Sequence, residues 1–212
     1  MHPNPIYRQT EAERSLEFAL AAGFGQIMVS ADPVPLVAHI PFLQGQQGDE
    51  IELHLVRSNP IARLLQNIQT PAKLSVSGPH GYISPDWYGV KDQVPTWNYV
   101  AVHLSGTLRM LKHDQLLALL DRLSAHFEAQ LAPKPAWKSS KMTPEVLQKM
   151  LRQIVPCSFK IEDIHSTWKM NQKKDKSRLA AADAVEQTGV GSETIALAAL
   201  MRAAEGSNHS HD

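Results

Sequence analysis

The run TWNYVAVHLSGTLRML, residues 96–111, decides the fold. Sixteen residues without a helical period are longer than an ordinary strand, so the run is read as one strand that bends around a barrel. Gly106 is the natural place for the bend or bulge. Strand alternation puts Trp97 and Tyr99 on one face and Asn98 on the other. Two readings of that mouth stand side by side: aromatics covering a core, or aromatic faces and an amide meeting a planar ring.

Upstream, Thr10-Glu11-Ala12-Glu13 matches a capping box, and Leu16, Ala19 and Leu20 follow at helical spacing to an end near Gly23. GQIMVSA and PLVAHIPFL are β-rich and are separated by the turn pair Asp32-Pro33; GQQGDE then precedes the alternating EIELHLV. These make a three-stranded meander. Ile51, Leu53 and Leu55 take one face of its third strand, which leaves Glu52 and His54 facing water or a ligand. SNPIARLLQNIQ reads as a short helix capped by Ser58 or Asn59, with Pro60 in its first turn. AKLSVSGP and GYISP read as two strands bracketing a turn at Pro79-His80-Gly81.

Downstream the period changes. HDQLLALLDRLSAHFEAQ is an amphipathic helix, a Pro-containing connector follows, and Thr143-Pro144 opens another helix. CSFKIEDI supplies one more strand. An Ala-rich helix broken at Gly189 and Gly191, a second helix from Glu193 and a polar tail expected to be disordered complete the chain. Six or seven strands joined mainly by short turns predict an α+β fold: an antiparallel barrel flanked by helices, with a helical C-terminal extension. The expected organisation is a barrel domain over residues 1–170, the extension over 171–206 and the tail over 207–212.

The 212 residues are 43% hydrophobic, enough for a substantial core, and their formal net charge is zero. No global basic field exists to draw the chain onto nucleic acid or an anionic membrane. The single Cys157 excludes an intrachain disulfide and a cysteine-based zinc site, and with the lack of a charged-then-apolar leader it points to the cytoplasm. No apolar run reaches the roughly 18 residues of a membrane span. Ten histidines are scattered without paired ligand spacing, so no metal site is expected. Neither a P-loop nor a dinucleotide fingerprint is present.

Two cationic stretches carry candidate chemistry. HLVRSNP places Arg57 and Ser58 between a strand and a helix, either as an anion cradle suited to phosphate or as a plain helix cap with a solvated arginine. KMNQKKDKSR, residues 169–178, is either a binding cluster or a solvated helix entrance.

HIPF at His39, HLVRSNP at His54, GYISPDWY at Gly81, VPTWNYVAVHLSG at Val94 and WKMNQ at Trp168 together resemble the PaiB-type proteins, the FMN-binding negative transcriptional regulators. The likeness runs from about Tyr7 to the Ala-rich helix. It implies a Greek-key split barrel, a homodimer, and FMN sites at the subunit interface. It implies that Arg57 and Ser58 lie where split barrels hold the FMN phosphate, and that Trp97 and Asn98 shape the flavin cleft. Lys169, Asn171 and Gln172 approach from the late segment, and His39 and His54 are carried as cleft residues. One departure stands out: the family pattern reads close to KLSQNR where this chain has KMNQKK. Direct DNA contact has only the cations of residues 169–178 to rest on. Two further functions compete: a flavin- or heme-dependent oxidoreductase, with His39, His54 or His165 as a heme ligand, and a barrel without cofactor that serves as an interaction module.

Overall fold

A computed structural model describes residues 1–66 and 68–204. The long run forms a strand over Thr96–Met110, here β5, because every second side chain from Asn98 to Leu108 is buried while the intervening ones keep some contact with solvent. Phe24–Val29 (β1), Leu36–Gln44 (β2) and Glu50–Val56 (β3) form the expected antiparallel meander. Thr70–Ile83 (β4), Ile154–Lys169 (β6) and the two-residue Gly191–Ser192 (β7) complete the sheet. The strand order is β1-β2-β3-β6-β5-β4-β7, with β1 also pairing β4 from Gln26↔Ser75 to Val29↔Ala72. That pairing closes the first six strands into the ring of an antiparallel barrel. The jump from β3 to β4, made through the helix Pro60–Leu64 (α2), gives the Greek-key order.

Two strand readings are corrected. Pro79-His80-Gly81 is no turn: β4 is continuous through it, and β7 pairs antiparallel there, His80 with Ser192 and Gly81 with Gly191. Gly81 is a contact glycine. A Cβ on it would meet Leu197 Cδ2 at 3.0 Å and the Val190 carbonyl oxygen at 3.2 Å. The segment read as CSFKIEDI is likewise only the middle of β6, whose first half pairs β3 from Ile154↔Val56 to Lys160↔Glu50.

The remaining helices are Ala12–Ala22 (α1), Leu116–Ala129 (α3), Pro144–Leu151 (α4), Asp175–Thr188 (α5) and Thr194–Ala203 (α6). Among the described residues no helix is long and apolar enough to cross a membrane. By contacts the chain divides into two compact units. One comprises Glu17–Val76 and His103–Ile164 and has a core of Ile27, Phe42, Ile51, Leu53, Leu104 and Phe159. On its outer side α3 buries Leu116, Leu119 and Leu123, and its Arg122 pairs with the buried Glu52. Glu52, expected to face water or a ligand, is thereby an internal ion-pair partner. The other unit comprises Met1–Leu16, Ser77–Val102 and the described chain from His165 onward. There α5 and α6 pack against each other and bury Ala181, Ala182, Val185, Leu197, Ala198 and Met201, the three alanines allowing a close approach. The polar tail expected over residues 207–212 lies outside the described residues.

Candidate functional site

Alternation along β5 sorts the candidate residues of the second unit onto two faces. Trp97, 40% exposed, lies on the outer one. Its indole Nε1 donates to His80 Nδ1 at 3.3 Å, and its ring lies 5.7 Å from that of His80 and 6.4 Å from that of Tyr82. The three form an exposed aromatic shelf. Thr96 and Asn98 point the opposite way. Asn98 is fully buried, and neither Oδ1 nor Nδ2 has a hydrogen-bond partner. A buried amide left with both ends unpaired costs free energy, so its position asks for a ligand or an ordered water.

Lys169, at the end of β6, donates through Nζ to Thr96 Oγ1, with its ammonium 5.8 Å from the Tyr7 ring centre. Just beyond, Lys174 donates to Gln93 Oε1 and stands 3.7 Å from the ring centre of Tyr88. Burial lowers the pKa of both lysines, and Lys174 lowers that of Lys169 further by repulsion. His2 is lowered as well, first by burial and then by the charges of Lys169 and Arg8. Among the side chains that the structure describes, no carboxylate pairs with either lysine.

Asn171 is buried in the left-handed conformation at φ 61°, and its Nδ2 has no partner. The neighbouring Tyr88 Oη, also buried, closes no hydrogen bond of ordinary geometry, although Asn171 is near enough to favour the phenolate. Burial outweighs that effect and raises the Tyr88 pKa. Gln172, expected to reach a cofactor, instead clamps its own turn: Oε1 accepts from Met170 N at 2.9 Å and Nε2 donates to the Trp168 carbonyl. Lys169 and Asn171 are therefore brought together, and Tyr88, Lys174 and Thr96 join them. The sequence held no periodic signal for those three. Tyr88 ends a 3₁₀ turn over Pro85–Tyr88, and its contact with Lys174 is made across distant parts of the chain.

In the barrel unit, Arg57 Nε donates to the Arg152 carbonyl at 2.8 Å and Nη2 to that of Ile154 at 3.2 Å. The guanidinium is thus oriented across the link between α4 and β6, with its other N–H groups still available. Ser58 is exposed beside it. The cap of α2 is Asn59, whose side chain accepts from Ile61 N at 2.9 Å, so the Ser58 hydroxyl is not spent on the helix. His39 is exposed on β2 opposite Gln26, its ring stacked at 6.4 Å on Phe24.

His54 is half-buried on β3, its Nδ1 has no partner, and burial lowers its pKa below the ordinary 6.5. A depressed folded-state pKa favours neutral imidazole, so this contribution to stability is present above about pH 6.5 and is lost as pH falls through the folded value. Urea midpoints measured between pH 7 and about pH 5 should therefore decline less in His54→Gln than in the natural chain; equal declines would show that His54 does not titrate with folding. Cys157 is fully buried and its thiol is pushed up to about 12, which leaves no thiolate for catalysis. Among the described residues no cluster of three or more metal-ligating side chains exists.

Residues 1–163 match a family described as "Putative FMN-binding domain". Over 179 residues the chain is 30% identical to the "Protease synthase and sporulation protein PAI 2" of Bacillus subtilis, covering 84% of each. The chain belongs to the PaiB-type FMN-binding family. Two solved structures share the split-barrel fold. The FAD and heme binding protein of Mycobacterium smegmatis aligns with a TM-score of 0.55 at 20% identity, over 77% of this chain and 73% of that one. The flavocytochrome Anf3 of Azotobacter vinelandii aligns with a TM-score of 0.55 at 14% identity, over 80% and 72%. At such identities the likeness concerns fold alone. In this PaiB-type chain the matched family region contains His39, His54, Arg57, Ser58, Trp97 and Asn98; Lys169, Asn171 and Gln172 follow it.

Proposed function

We propose that the protein binds FMN as a homodimer in the cytoplasm and acts as a negative regulator of transcription. Family membership over residues 1–163 carries this reading. Each compact unit offers donors of a kind that a flavin uses. Arg57 has N–H groups left after its two backbone bonds, and with the free Ser58 hydroxyl it offers charge-assisted contacts to a phosphate dianion. Asn98 has an unused donor and an unused acceptor, the pair that the polar edge of an isoalloxazine requires. A bound flavin would contribute one- and two-electron redox chemistry, while the chain contributes binding, orientation and field.

Lys169 and Lys174 are turned onto Thr96, Gln93 and two tyrosine rings. That inward placement leaves less charge for a DNA face and favours regulation without direct operator contact. It also favours a second reading, a flavin-dependent oxidoreductase, since the same lysines border unpaired buried amides rather than a flat surface. Absorption spectroscopy and light scattering test the main reading together. A purified protein that shows the flavin bands, or acquires them with FMN, at twice the chain mass is expected. A monomer that remains colourless in excess FMN would refute it, and a Soret band on adding heme would turn the assignment toward heme.

A further inference from the structure

We propose that Lys169, Lys174, Tyr88 and Asn171 form a second anion site, which holds the carboxylate or phosphate group of a small ligand other than the flavin. The inference rests on the reading that places the cofactor's phosphate at Arg57 and Ser58: FMN has one phosphate, and the chain offers a set of cations and donors in each of its two compact units.

The site is built from four observations. Both ammonium groups donate to neutral partners, a threonine hydroxyl and a glutamine carbonyl oxygen, and among the described side chains no carboxylate pairs with them. They stand close enough for Lys174 to depress the basicity of Lys169. Two buried polar groups at the same place, Asn171 Nδ2 and Tyr88 Oη, stand beside each other without closing a hydrogen bond of ordinary geometry. Finally, Lys174 lies over the Tyr88 ring, which fixes the ammonium beside the hydroxyl-bearing residue.

A compact oxyanion answers all of these together. Its charge offsets two ammoniums that now repel, and its lone pairs accept from both orphaned donors, each of which costs free energy while buried and unpaired. A cation would worsen the repulsion. A neutral apolar group would leave the donors as they are. Because Thr96 joins Lys169 on the same face of β5 as Asn98, the anion would sit on the face that bears the other unpaired amide.

The test uses the full chain loaded with FMN and titrated by calorimetry with inorganic phosphate and with acetate, at constant ionic strength. The natural protein should bind one of the two saturably. Tyr88→Phe, which keeps the ring beneath Lys174, and the double variant Lys169→Gln/Lys174→Gln should weaken that binding about tenfold or more. The ratio of FMN to riboflavin affinity should stay unchanged in both. No saturable anion binding, or binding indifferent to these variants, would overturn the proposal. A collapse of the FMN-to-riboflavin ratio in the double variant would also overturn it, by making the lysines the cofactor's own phosphate site. Should the chain bind no flavin at all, the flavin reading fails, and the same titration on flavin-free protein still decides the anion site.

Discussion

Gly106→Ala is expected to destabilise the protein by about 3 kcal/mol, near the upper end of what overpacking usually costs. A Cβ built on Gly106 would lie 1.9 Å from the Lys160 carbonyl oxygen and 3.2 Å from Phe159 Cζ. The first is a backbone atom, with no rotamer to yield. Lys160 is fixed opposite Glu50 in the β3–β6 ladder, and Ile161 N donates to the Asp49 carbonyl at 2.8 Å. Relief must therefore come from parting β5 from β6, which would open the ring. Urea denaturation reads the effect as a lower midpoint at unchanged slope. Gly48→Ala is the control, since nothing stands within 4 Å of its added carbon; it should change stability by no more than about 0.5 kcal/mol. If the two variants unfold at similar midpoints, the close approach of β5 and β6 is not a fixed feature of the fold.

That glycine also shows what the sequence could and could not reveal. Its place in a long alternating run was legible, and with it the barrel, because a period of two survives in the letters. Its reason was not. The letters suggest a bend or bulge at Gly106; the structure adds the close passage of another strand's carbonyl, a relation between residues far apart in sequence. The same applies to Pro79-His80-Gly81. Proline and glycine usually punctuate chains, and only the pairing with β7 and the packing of Leu197 and Val190 against Gly81 explain why β4 passes straight through.

The candidate site divides in the same way. Asn98 on the face opposite Trp97 follows from alternation alone, and the structure buries the one and exposes the other. Lys169 and Asn171 come from the resemblance, and the structure sets the first on Thr96 and the second beside Tyr88. Lys174 is legible only as one cation of the run over residues 169–178, and Tyr88 only as a residue of a turn; their contact is invisible in the letters. Gln172 is a polar residue within a recognisable stretch whose amide is occupied by the backbone of its own turn.

Arg57 combines both kinds of employment, which makes its substitution informative. Arg57→Gln should weaken FMN binding by about 1.5 to 3 kcal/mol, the range for a hydrogen bond to a charged group, while riboflavin binding stays nearly constant. The comparison is needed because two of the N–H groups of Arg57 already hold the carbonyls of Arg152 and Ile154. Losing those bonds disturbs the link into β6, and any resulting looseness would lower the affinities for FMN and riboflavin alike. A phosphate contact lowers only the first. Since the bonds to Arg152 and Ile154 are solvent-exposed, their loss should cost no more than about 1 kcal/mol of stability, and denaturant midpoints check that the variant stays folded. A parallel fall of both affinities would assign Arg57 to the backbone alone. An unchanged preference for FMN would move the phosphate away from the β3–α2 junction, and the same comparison on the Lys169→Gln/Lys174→Gln variant would then show whether the lysines beside Tyr88 hold it.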